Sequence, residues 1–161
     1  MWSRPILPPD TAKIVSEHLQ GLLTDLIDLS LVSKQAHWNL FGDDFLAAHE
    51  KLDEVVASAR NFGDLVAERI AKLGVSPDGR VKTVAAGTAV AEFPAGFHPT
   101  KAILTEVCDR LDTVVKKVRI VRQETADHDP MTDDLCIEIG RELETHFWML
   151  QAMEGRDPSD R

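Results

Sequence analysis

Four long segments of this chain repeat their apolar residues at steps of three and four. That period turns one stripe of an α-helix inward and fits no strand. In the first, Val15, Leu19, Leu22, Leu26 and Leu29 make the stripe. It follows Pro8-Pro9-Asp10-Thr11, where Asp10 or Thr11 is the expected cap, and Gly42 ends it after Trp38 and Phe41. The second begins at Asp43 or Asp44 and carries Leu52, Val55, Ala59, Phe62, Val66, Ile70 and Leu73 before Gly74 and Pro77 close it. The third starts at His98-Pro99-Thr100, with proline in the first turn, and carries Leu104, Val107, Leu111, Val114, Val118 and Val121 to about Ala126. Asp129 is the expected cap of the fourth, ahead of Pro130, with Leu135, Ile139, Leu143, Phe147 and Leu150 inward.

The connections are as telling as the helices. A few residues join the first pair and the last pair, so each pair should pack as an antiparallel hairpin. Residues 75–98 are instead punctuated by Pro77, Gly79, Gly87, Pro94 and Gly96. A connection that long suits a crossover from one end of a bundle to the other. Val84-Ala-Ala-Gly-Thr-Ala can hold a short helix within it. The expected fold is all-α, a ferritin-like four-helix bundle with one long crossover. It forms a single domain over residues 1–161, with short tails at about 1–9 and 155–161, the latter frayed.

Bulk properties exclude several classes. No stretch approaches the ~18 apolar residues that span a bilayer. Met-Trp-Ser-Arg-Pro lacks the pattern of a signal peptide, so a cytoplasmic protein is expected. Cys108 and Cys136 fall in apolar helical patterns and read as buried reduced thiols. The net charge of −9 argues against a basic groove that wraps nucleic acid. It suits a protein that attracts cations, and is also common among soluble enzymes.

Chemistry concentrates in His37, His49, Asp53, Asp64 and Glu68, all imidazole or oxygen donors of the kind iron accepts. His49 and Asp53 are four apart on the second helix, as are Asp64 and Glu68, so each pair shares a face. Asp53 and Asp64 are eleven residues apart, roughly 16 Å along the axis, and His49 and Glu68 roughly 28 Å. Metal–ligand bonds are about 2 Å, so one metal cannot bridge the pairs within one helix. Two helices packed antiparallel about a two-fold axis can bring unlike halves together, making two identical sites per dimer. The fifteen-residue step from His49 to Asp64 is a net turn of about 60°, which keeps both pairs on one broad face. His37, one short loop away, can join the His49/Asp53 half. Each part has a bland alternative: a structural histidine, or a solvated acidic face.

These residues sit in a wider pattern. Asp28-Leu-Ser-Leu, Lys34-Gln-Ala-His-Trp-Asn39, Phe45 with Ala48-His-Glu50, Leu52-Asp53 and Ala67-Glu-Arg69 closely resemble the Dps family, the mini-ferritins of starved bacteria. Phe147-Trp148 resembles that family's late aromatic pair, and Pro77-Asp-Gly-Arg80 and Thr83-Val-Ala-Ala86 look like its actinobacterial branch. The resemblance spans essentially the whole chain. It implies a homo-dodecameric shell that stores iron. It also implies a ferroxidase that oxidises Fe(II), with hydrogen peroxide as the usual oxidant and dioxygen as the alternative. His37, His49 and Asp53 would come from one subunit, Asp64 and Glu68 from its two-fold mate. Trp38 would take a stray oxidising equivalent, or simply pack. Ordinary ferritins carry Glu-x-x-His pairs in one bundle; here Glu142 and His146 are four apart.

The same resemblance places Asp127, His128, Asp129, Asp133 and Asp134 at iron-entry pores, where carboxylates concentrate Fe(II). A helix cap at Asp129 is the competing reading. DNA binders in the family carry a lysine-rich tail. This chain has Arg4 at one end, and Arg156 and Arg161 at the other are offset by Glu154, Asp157 and Asp160. That argues against DNA compaction, which depends on neutralising phosphates. The alternative reading is a nucleoid-binding structural protein with secondary iron chemistry. A hydrolase on the same scaffold lacks a visible nucleophile constellation. His18, His98 and His146 are read as structural.

Overall fold

The structure is a computed structural model and describes residues 3–155. The expectation for the C-terminal tail falls on 156–161, outside the described residues. The elements run α1 (Pro9–Asn39), β1 (Leu40–Phe41), α2 (Phe45–Lys72), α3 (Val81–Gly87), β2 (His98–Pro99), α4 (Thr100–Thr125) and α5 (Pro130–Glu154). The four long helices form the all-α ferritin-like bundle. α1 packs chiefly on α2 and α4 on α5, as the short connections require, and α1 against α4 closes the core. Val15, Leu19, Leu22, Leu26, Leu29, Leu52, Val66, Leu111, Ile139 and Leu143 are fully buried. Among the described residues no helix is long and apolar enough to cross a membrane. Cys108 and Cys136 are buried free thiols, and burial pushes the Cys136 thiol up to about 12.

Three helix starts differ from expectation. α1 begins at Pro9 with Pro8 as its cap residue, and no side chain caps it; Asp10 lies in the first turn instead. Two successive prolines already set extended and then helical backbone there, so Asp10 and Thr11 are drawn inside. Pro99 does not open α4. It lies in extended backbone before the helix, because His98–Pro99 pairs in parallel with Leu40–Phe41. α3 starts at Val81, three residues ahead of the expected Val84, with Asp78 accepting from the Arg80 backbone N–H and the Thr83 hydroxyl. Asp129 does cap α5, accepting from the Met131 backbone N–H.

The crossover is tied down at both ends. Gln20 on α1 exchanges two 2.8 Å hydrogen bonds with the Asp78 backbone. Arg110 on α4 is buried, donates to the carbonyls of Ala91 and Glu92, and lies over the Phe93 ring.

Candidate metal centre

The end of α1 and the start of α2 are joined by residues 40–44, and this tight connection brings His37 and His49 together. Gly42 has φ +102, where a side chain would strain the turn. Across it, His37 Nδ1 lies 2.9 Å from the His49 carbonyl oxygen, and His49 Nδ1 lies 2.9 Å from that of His37. A carbonyl oxygen only accepts, so both rings carry their proton on Nδ1. Each is left with an Nε2 lone pair, the form a metal needs, fixed by a backbone partner. The rings stack with centroids 3.5 Å apart, and Phe45 stacks on His49 from the other side at 5.1 Å.

Asp53 lies one turn along from His49, with an oxygen 3.4 Å from His37 Nδ1. The Lys34 ammonium is bonded to that same oxygen. The Lys34 bond, more than the nearby histidines, holds the Asp53 carboxyl below the usual carboxylate range. An arriving cation must therefore compete with a lysine. Sequence reasoning placed Lys34 in a motif but gave it no partner, because it meets Asp53 across the turn between two helices.

Asp64 and Glu68, the other two candidates on α2, are both exposed, with Glu68 paired to Lys72 at 2.9 Å. α2 runs unbroken through all four of its candidate ligands. The eleven-residue interval is thus roughly 16 Å of continuous helix. Among the described residues no three His, Cys, Asp or Glu side chains converge on one point. Beside Asp64 is an apolar groove formed by Leu23, Ile27, Ala59, Gly63 and Ala67, walled by Pro77 of the crossover. Trp38, next to His37, is 62% exposed and does not pack in its own chain's core.

A scan of family models matches the ferritin-like domain over residues 16–158. The DNA protection during starvation protein of Agrobacterium fabrum is 33% identical over 147 residues, covering 91% of both chains. This chain belongs to the Dps family. The solved Dps of Mycobacterium smegmatis superposes with a TM-score of 0.90 at 31% identity, over 95% of this chain and 93% of that one. The Dps of Microbacterium arborescens in its high iron form does so at 0.89 and 32%, over 95% and 100%. Identities to Agrobacterium and Mycobacterium are of one size, so identity does not sort this Dps chain into the actinobacterial branch.

The acidic turn of this Dps chain divides on inspection. Asp129 is engaged within its own chain. It is 3% exposed and accepts from Arg69 Nη2 and the Thr132 hydroxyl, each at 2.5 Å. Burial opposes its charge, but Thr132 and Arg69 outweigh burial and lower its pKa. Asp133 pairs with Arg122 at 2.9 Å and is largely covered. Asp127 and Asp134 are exposed. One contact escaped the sequence altogether: His146, buried on α5, meets Ser58 of α2.

Proposed function

We propose that this chain is a ferroxidase and iron-storage mini-ferritin that works as a shell of twelve copies built from two-fold dimers. Fe(II) is the substrate, and hydrogen peroxide is the oxidant. His37, His49 and Asp53 of one copy meet Asp64 and Glu68 of the other, giving two sites per dimer. The carrying observation is the pair of imidazoles locked by each other's carbonyls, each with Nε2 free, at one end of a helix whose other end bears Asp64 and Glu68. The apolar groove beside Asp64 supplies surface for the second copy.

Neutral imidazole and carboxylate suit Fe(II) and leave positions open for the oxidant. Two Fe(II) give one electron each to the peroxide O–O bond. With two protons, peroxide then leaves as two waters, and no hydroxyl radical is released. Trp38, exposed beside His37, is placed to give up an electron when a single iron reacts alone. Asp127 and Asp134 remain as carboxylates that draw Fe(II) inward, Asp129 and Asp133 being engaged within the chain. The net charge of −9 per copy, multiplied in a shell, disfavours DNA as a partner, and the reading places the protein in the cytoplasm.

The test is anaerobic Fe(II) loading followed by peroxide, with native mass measured alongside. The expected result is an assembled shell that consumes two Fe(II) per peroxide. A stable monomer, or oxidation unchanged in a His37→Gly/Asp64→Ala double variant, would defeat the reading. DNA mobility unshifted at low salt separates it from a nucleoid-binding role.

A further inference from the structure

The seam between α2 and α5 holds a second set of donors, apart from the five residues above. Its centre is His146, 3% exposed. His146 Nε2 lies 2.9 Å from Ser58 Oγ and 3.4 Å from Glu142 Oε1, and Ser58 Oγ lies 3.4 Å from that same carboxylate oxygen. Three donor atoms therefore form a near-equilateral triangle of one nitrogen and two oxygens. A cation about 2.1 Å from each would sit roughly 1 Å above its plane, with the far side open for water. We propose that His146, Glu142 and Ser58 form a mononuclear site for a divalent transition cation.

Several independent features support it. Ser58 lies between the two half-sites along α2, and the five-residue step from Asp53 turns it by about 140° onto another face. The donors belong to one chain, so the site does not depend on a partner copy. Glu142 also lines an open groove between α2 and α5, together with Phe62, Asp134, Glu138 and Arg141.

The protonation state also fits. Burial, helped by Lys51, lowers the His146 pKa, while Glu142 and Glu54 oppose. Its surroundings thus favour the neutral ring, as a ligand must be. Without a cation, Nε2–H donates to Ser58 and Ser58 donates to Glu142. His146 Nδ1 then faces the interior with no hydrogen-bond partner among the described residues. With a cation, the ring proton sits on Nδ1 and the Ser58 hydrogen turns outward. No proton leaves the chain.

The experiment is Co(II) titration, followed by calorimetry and visible absorption, in a His37→Ala/Asp64→Ala background that removes the half-sites. One Co(II) per chain is expected. His146→Phe, a ring of similar bulk for a buried position, should abolish binding, and Glu142→Gln should weaken it at least roughly tenfold. Ser58→Ala serves as a milder second variant if His146→Phe fails to fold, and should also weaken binding. Zn(II) should shift the His146 Nε2 resonance. No binding below about 1 mM in the background protein overturns the proposal. So does binding that the folded variants leave unchanged.

Discussion

Asp129 shows how one side chain can be claimed by two chemistries. Its neighbours in sequence are acids at a turn, which suggested a pore. Its neighbours in space are Arg69 and Thr132, sixty and three residues away. A buried carboxylate left without its partner costs several kcal/mol, so the ion pair dominates. Asp129→Asn keeps the cap but loses the charge, and should destabilise by about 2 kcal/mol at pH 7. The sign of the pH effect follows from the lowered pKa. The Asp129 contribution is fully present above the unfolded value of about 3.9 and is lost as pH falls through the folded value. Urea unfolding of both proteins should therefore show a gap that is constant near neutrality and closes below about pH 4. A gap that widens in acid would refute the pairing. The ligand residues themselves were legible, because fixed spacing on a regular helix fixes their faces. The Lys34–Asp53, Arg69–Asp129 and Ser58–His146 contacts were not, since each joins segments whose approach no local period encodes.

At the scale of elements, α1, α2, α4 and α5 were readable because each buries one three-four stripe, and the crossover because prolines and glycines punctuate it. Their starts were less so. β1 and β2 pair by backbone alone across 58 residues, which leaves no mark in the sequence. Their pairing moved Pro99 outside α4. α1 is the one long helix in which consecutive prolines displaced the expected cap, and no side chain caps its first turn. Pro8→Asp keeps extended backbone ahead of Pro9 and adds the missing oxygen. The variant should gain about 1 kcal/mol in urea unfolding, and an unchanged or lowered midpoint would refute the missing cap.

At the scale of the molecule, the proposed site belongs to neither copy alone. This has a quantitative signature. Mix His37→Ala chains with Asp64→Ala chains, each inactive alone. Half the dimers are then hybrids. In each hybrid both changes fall on one site, and the other site is wild type. Co-assembly should restore about a quarter of wild-type oxidation. A site built within one chain would restore none. The fold was visible from the sequence at this scale because crossover length and charge are additive properties. The groove beside Asp64, by contrast, needs α1, α2 and Pro77 placed together.

The unbroken span of α2 between Asp53 and Asp64 has a consequence for which genetic changes the protein can survive. Exposed positions along this stretch, such as Ala57 and Asn61, tolerate exchange of one letter for another. They do not tolerate a change in their number. Deleting one codon turns everything beyond it by about 100° and slides it by about 1.5 Å. Asp64 and Glu68 then leave the proposed two-fold face, and the buried Phe62, Val66 and Ile70 leave the core stripe with them. Single-codon deletions between 53 and 64 should lose Fe(II) oxidation and lower stability in urea unfolding. Substitutions at the same exposed positions should keep both. Drift in this stretch is therefore expected to rewrite residues while conserving length.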